Sequence, residues 1–286
     1  RCYAMSVGGL VQWILVDADD RHPKHTTGWA HPIFTFLVGI LCSPCLGYYG
    51  ADRLSHFSST SISHGESLND IFLGIFLILY QFVTVVARVG TLGYSVLYEQ
   101  LWACNVAQSL AAVGIITSRP TMVGAACLAV AIDQICWYVD ILSRVFMGKY
   151  IIGVAKYLDW PETTTVTRAT SFHHLWFLPV CLWHLRCVGG MPSSSFLLSS
   201  FGVCIMSVMS RLLVPFKIKK GNSLKKTDEL VYSNVNMTHE FWKDIPVDLL
   251  HRMDGKPWYF YLPYLMIVYN ILHWPFFIAM QALTLL

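Results

Sequence analysis

The sequence is short of charge. Lys, Arg, Asp and Glu make up 13% of its 286 residues, about half of the roughly 25% found in average soluble domains. With 55% hydrophobic residues, too few polar side chains remain to cover a water-exposed fold of this size. That shortage excludes an ordinary soluble domain, and a mean hydropathy of +0.51 points to an integral membrane protein. The net charge of +3 is small and scattered, so nucleic acid is not expected as a partner.

Other absences narrow the field further. No serine elbow, phosphate-binding glycine loop, HExxH pair or dinucleotide fingerprint occurs, and the soluble-enzyme chemistries that need them are not expected. There is no internal repeat, and the only low-complexity tract is Ser-rich 55–63. Cys42 and Cys45 form a CxxC, but no second pair completes a four-thiolate zinc site. Cys104, Cys127, Cys136, Cys181 and Cys204 lie inside apolar segments and read as small buried hydrophobes, with no metal site expected.

What is present is a series of long apolar runs. A bilayer core of about 30 Å needs about 20 apolar residues per helix. Seven stretches meet or approach that length: 31–50, 70–87, 97–116, 121–142, 170–188, 195–215 and 258–284. The expected fold is therefore all-α, a polytopic transmembrane helix bundle of about seven spans. Residues 1–30 form an N-terminal segment with an interfacial helix at 3–16, residues 31–215 a six-helix bundle, 216–257 an extramembrane loop and 258–286 a final helix. Trp29, Trp102, Trp160 and Trp258 fall near the proposed ends, as an aromatic belt requires.

The basic residues test this segmentation. If loops alternate between sides, 17 of the 20 Lys and Arg share one side, leaving Arg53, Arg119 and Arg186 on the other. The positive-inside rule then puts the N-terminal region and loop 216–257 on the cytoplasm-equivalent side and the C-terminus opposite. The sequon Asn236-Met237-Thr238 lies in that basic loop, so glycosylation is not expected. Lys217, Lys219, Lys220, Lys225 and Lys226 are expected to meet anionic lipid headgroups. The following HEFWKDIPVDLLHR (239–252) reads as a short amphipathic helix interrupted by Pro246. A start at Arg1 suits removal of an organellar targeting segment or an arbitrary boundary.

Polar residues inside the apolar runs are the candidates for function, since an ionisable group in hydrocarbon costs about 2.5–3.5 kcal/mol on insertion scales. Asp133, Trp137 and Asp140 share a helix face beside Gln134, Asn105 and Gln108 are a turn apart, and Arg168, Ser171, His173 and His174 open the fifth stretch. His184, Asn270 and His273 follow. Such groups either bind something or bond one another across helices. His173 and His184 lie about 16 Å apart along one helix, too far to share one iron, and adjacent His173 and His174 point about 100° apart. No cofactor is expected, although haem between His174 and His273, or a quinone, is compatible with the residue types.

The runs LWACN (101–105), DQICWYVDIL (133–142), YLDWPETTTVTRATSFHHLWFLP (157–179) and SNVN (233–236) resemble a family of multi-pass bacterial-type membrane proteins with no assigned activity. The resemblance spans positions 97–284 and matches Cys104, Gln134, Trp137, Asp140, Asp159, Arg168, Ser171, His174, Pro179, Asn234 and Asn236 to its motifs. Asn105 stands where the pattern has His, Met237 where it has Trp, and the Pro-Thr-His ending is missing. An extra residue between Trp176 and Pro179 leaves either His173 or His174 as the counterpart. These departures imply a member retained for packing.

Two functional expectations follow. The first is a non-catalytic subunit of a larger membrane complex, an accessory subunit of a respiratory assembly of the mitochondrial inner membrane, with lipids and other membrane subunits as partners. The second is a membrane-embedded enzyme or a redox, quinone- or lipid-binding protein, with Asp133, Asp140, Arg168 and His174 as its catalytic candidates. A transporter ranks behind both, because no paired halves are visible.

Overall fold

A computed structural model describes residues 31–55, 68–222 and 225–286, with backbone alone for 55 and 217–232. Helices dominate. In chain order they are α1 (Pro32–Leu54), α2 (Leu68–Leu92), α3 (Ala103–Ile116), α4 (Pro120–Met147), α5 (Thr165–Thr170), α6 (His173–Cys187), α7 (Ser194–Leu213), α8 (Asp248–His251) and α9 (Trp258–Leu285). Five of them, α1, α2, α4, α7 and α9, are long and apolar enough to cross a membrane. The interfacial helix expected at 3–16, Trp29 and nearly all of the Ser-rich run lie outside the described residues.

The helices are amphipathic in the inverted sense that a bilayer demands. Along α2 the buried positions are Gly74, Leu77, Gln81, Thr84, Val85 and Arg88, a stripe at three- and four-residue spacing. Its exposed face carries Phe72, Phe76, Leu79, Phe82 and Val86. Polar groups thus face the protein and apolar ones face outward, because in lipid only protein can satisfy a hydrogen-bonding group.

Helix α4 is the hub, buried over most of its length and packed on α3, α6, α7 and α9. Its approach to α7 depends on small residues: a Cβ on Gly124 would stand 2.3 Å from Ser195 Oγ. Such contacts replace the hydrophobic drive that helices lack in lipid. Polar contacts tie the connections into two groups. At one end Arg119 pairs with Asp52 at 3.1 Å, Thr121 with Ser194 at 2.8 Å, His184 with Asp70 at 3.2 Å, and Met191 N–H donates to Thr284 Oγ1 at 3.0 Å. At the other, Arg88 meets Glu99 at 2.6 Å, Lys156 meets Asp244 at 2.8 Å, and Arg211 donates to Thr238 C=O at 2.9 Å.

Two expected spans differ from simple helices. The stretch 97–116 is a 3-10 segment, Tyr94–Leu101, then a break at Trp102 (φ −57°, ψ 136°), then the 14-residue α3. Asn236 fills the break: it accepts from Ala103 N–H at 2.8 Å and donates to Leu101 C=O at 2.6 Å and Ser210 Oγ at 2.8 Å. Unwound backbone at such a place persists only where other protein groups satisfy it. The stretch 170–188 contains Pro179, whose missing N–H leaves Leu175 C=O without its helical donor. Tyr138 Oη donates to that carbonyl at 3.2 Å, and one turn earlier Gln134 accepts Leu178 N–H at 3.1 Å.

The loop 216–257 also departs from expectation. It opens with an antiparallel hairpin, β1 (Lys217–Asn222) and β2 (Lys225–Tyr232), pairing Lys217 with Tyr232 and Lys219 with Leu230. The amphipathic helix expected over 239–252 shrinks to the four-residue α8, starting after Pro246. Phe241 instead buries against Tyr261, Leu262 and Leu265 of α9. Trp242 stacks on Trp160 at 5.5 Å between centroids and donates to Gly153 C=O at 3.2 Å. The loop is therefore docked onto the bundle end by side chains that sequence alone offered equally to lipid.

Candidate functional site

Between α3, α4 and α7 lies a cavity of about 110 Å³. Small side chains make the room, among them Ala107, Ala126, Ala129, Ser199 and Gly202, and Tyr269 of α9 closes part of the wall. One ionisable acid, Asp133, borders it. That carboxylate accepts no hydrogen bond among the described residues, and its side chain keeps 48% of its surface accessible. A carboxylate without hydrogen bonds beside a mostly apolar cavity is costly, and its neighbourhood is therefore the first place to look for function.

On its other side Asp133 Oδ2 stands 3.7 Å from Nδ1 of His174, which has no hydrogen-bond partner. The His174 ring stacks on Trp137 with centroids 5.8 Å apart. His173 is one residue earlier, at the first position of α6. There its Nδ1 meets Thr170 C=O at 2.8 Å, which turns the ring back over its neighbour, and the two imidazole centroids are only 4.1 Å apart. The fan of about 100° expected within a helix does not separate them. Cys104, lining the cavity from the start of α3, completes the group: its sulfur and one nitrogen of each histidine all lie within 4.8 Å of one another.

A polar collar surrounds the cluster. Arg88 bonds Glu99 at 2.6 Å, Thr170 Oγ1 at 2.7 Å and Ser171 Oγ at 3.4 Å. Gln81 accepts from Ser109 Oγ at 2.7 Å and donates to Asn105 C=O at 3.0 Å, while Asn105 Nδ2 donates to Glu99 C=O at 2.7 Å. Tyr157, from the 3-10 turn Lys156–Asp159, reaches in beside Ser171 and Trp137, and burial pushes its phenol up to about 12. It is consequently a neutral hydroxyl at physiological pH.

The four catalytic candidates of the sequence do not assemble. Asp133 and His174 come together; Asp140 and Arg168 go elsewhere. Asp140 is fully buried two turns from the end of α4, where it accepts from Ile152 N–H at 2.8 Å, from Gly153 N–H at 2.9 and 3.1 Å, and from Ala155 N–H at 2.9 Å. It moulds the turn after α4. Arg168 donates through Nε to Leu158 C=O at 2.8 Å on an exposed face. The side chains of Lys217, Lys219, Lys220, Lys225 and Lys226 lie outside the described ones. His184 pairs with Asp70, and His273 is buried beside Tyr269. Cys42 and Cys45 are free and exposed. Asn234 organises the loop by accepting His239 N–H at 3.0 Å and donating to Glu240 C=O at 2.8 Å.

Sequence reasoning passed over Cys104 as a hydrophobe, Glu99 as part of a span and Arg88 as a loop residue. Glu99 carried a usable signal, an acid inside a supposed span that requires a cation, and Cys104 was marked by the motif resemblance alone. No known protein family, curated protein or solved structure matches this chain.

Proposed function

We propose that this chain is a membrane-embedded protein that takes up a small lipid-soluble molecule in the cavity and exchanges a proton with it through Asp133 and His174. The observation that carries the reading is the Asp133 carboxylate without a hydrogen bond among the described residues, bordering a mostly apolar cavity at 3.7 Å from an imidazole nitrogen with no other partner. A pair of this kind can hold or pass a proton, which is what general acid–base work requires. A chain retained only for packing would be expected to satisfy such groups, as Asp140 is satisfied.

We also propose that α3, with the 3-10 segment before it, and α6 cross the membrane together with the five longer helices. The grouping of connections at two ends supports this count. The basic residues then put the end bearing loop 216–257 on the cytoplasm-equivalent side.

The test uses Gly202→Leu. Gly202 borders the cavity, and nothing lies within 4 Å of where its Cβ would stand, so the larger side chain enters open space. Protein extracted in mild detergent is solvent-stripped and its small molecules identified by mass spectrometry. A stoichiometric lipid-soluble compound in the wild type, reduced at least about tenfold in Gly202→Leu, supports the proposal. No such compound, together with comigration of the chain with constant partners on native gels, would overturn it in favour of a structural subunit.

A further inference from the structure

His173 and Cys104 beside His174 have a property that the proton-exchange reading does not use. Thr170 C=O can only accept, so the 2.8 Å contact requires His173 Nδ1 to carry the proton. The lone pair is thereby fixed on Nε2, which is buried and has no hydrogen-bond partner, in a residue that is 3% exposed. A histidine whose far nitrogen is held by a backbone carbonyl, with the near nitrogen left bare, is fixed in tautomer and orientation as metal-ligating histidines are. His174 adds a second bare buried nitrogen at Nδ1. Cys104 adds a sulfur, and that sulfur and one nitrogen of each imidazole lie within 4.8 Å of one another.

We propose that Cys104, His173 and His174 bind one zinc-class divalent ion whose open coordination position faces Asp133 and the cavity. Around a tetrahedral ion such ligand atoms would sit about 3.3–3.8 Å apart, so closure needs side-chain movements of no more than about 1 Å from the arrangement seen. The donor set, two imidazoles and one thiolate, is of the type that selects zinc or copper over magnesium or calcium. Three protein ligands with a fourth position left open is the pattern of a reactive zinc site, not of a closed structural one.

Charge makes the same point. A thiolate at Cys104 and a carboxylate at Asp133 together balance a divalent cation, while both imidazoles stay neutral. The site is then electrically neutral where uncompensated charge is costly. Among the described residues the cation nearby, Arg88, is already neutralised by Glu99 at 2.6 Å. An ion at this position would turn a bound water toward Asp133, which would hold its proton; it would give the cavity a Lewis acid without a further protein group. The proposal deepens the cavity reading and rests on it for what occupies the open position; with His174 Nδ1 on the ion, the proton would be exchanged through the ion's bound water and Asp133 in place of the imidazole.

The experiment is elemental analysis of protein purified in mild detergent without chelator, with cobalt(II) reconstitution of the same preparation after metal removal. One zinc-class ion per chain and a thiolate-to-cobalt charge-transfer band are expected. Cys104→Ser should abolish the band, and Cys104→Ser and His173→Gln should each lower metal content at least about tenfold. His273→Gln, which alters a buried histidine outside the cluster, should keep the metal. Absence of both stoichiometric metal and the cobalt band in wild-type protein would overturn the proposal, as would a band that persists in Cys104→Ser. A metal-loaded protein that carries no lipid-soluble molecule would leave the ion site standing and remove the cavity reading. A ligand-bearing protein without metal or band would do the reverse.

Discussion

Asp133 and Asp140 lie two turns apart on one helix, and their surroundings differ in every respect that matters. Asp140 faces the turn after α4 and accepts four hydrogen bonds from three backbone N–H groups. Asp133 borders a mostly apolar cavity and accepts none among the described residues. A carboxylate surrounded by backbone donors is a piece of architecture. One left bare in apolar surroundings remains available for a proton, an ion or a ligand. The same residue type on the same face of the same helix is a fastening in one place and a site in the other.

The sharpest way to break this comparison is Asp140→Ala. It would strand the N–H groups of Ile152, Gly153 and Ala155 in the interior, and a loss of about 3–5 kcal/mol is expected. Reversible unfolding in detergent would show it, and a loss below about 1 kcal/mol would remove the architectural role. Next in size is Arg88→Met, which leaves Glu99 without its cation. Because Glu99 is still 30% exposed, the expected loss is about 2–3 kcal/mol, below the value for a fully buried pair. Arg88→Met with Glu99→Gln should recover most of it.

Asp133→Asn sharpens the contrast from the other side. Neutralising a bare carboxylate in apolar surroundings should change stability by less than about 1 kcal/mol, or raise it, while loss of the bound small molecule is expected. If Asp133→Asn destabilised the protein as much as Asp140→Asn, the two acids would be equivalent and the site reading would fail. The smallest effect belongs to the docked loop. The hydrogen bond from His251 to Asp254 at 2.6 Å raises the His251 pKa above its ordinary value. A raised folded-state pKa contributes stability that is complete below about pH 6.5 and is lost as pH rises through the folded value. Proteolytic protection of residues 239–256 should therefore fall slightly above neutrality, and His251→Gln should flatten that dependence.

Much of the frame was legible because it follows from composition and length. The runs at 31–50, 70–87, 121–142, 195–215 and 258–284 correspond to α1, α2, α4, α7 and α9, since about 20 apolar residues fold one way in lipid. Trp160 and Trp102 were read as lipid-facing anchors, yet both lie near Trp242, because a long loop can fold back as readily as it can lie on a membrane. The β1–β2 hairpin was missed because Lys-rich strands carry little of the alternating apolar pattern that marks a half-buried strand.

At the site itself the sequence showed which residues were expensive to bury but not which of them had partners. Asp133, Asp140, Arg168 and His174 were equal candidates by that criterion, for hydrophobic runs record cost and not compensation. What the sequence determined on its own was the solvent: a chain this apolar and this poor in charge must keep its backbone bonded in helices and turn its polar stripe inward. What only the tertiary structure decided was the pairing of the inward groups. Asp140 met the N–H groups of a turn that begins eight residues later, whereas Cys104, Asp133 and His174 came from three helices. Their meeting depends on how α3, α4 and α6 pack, and that packing is set by small residues, a break at Trp102 and a proline at 179, whose effects appear only when neighbouring helices are in place.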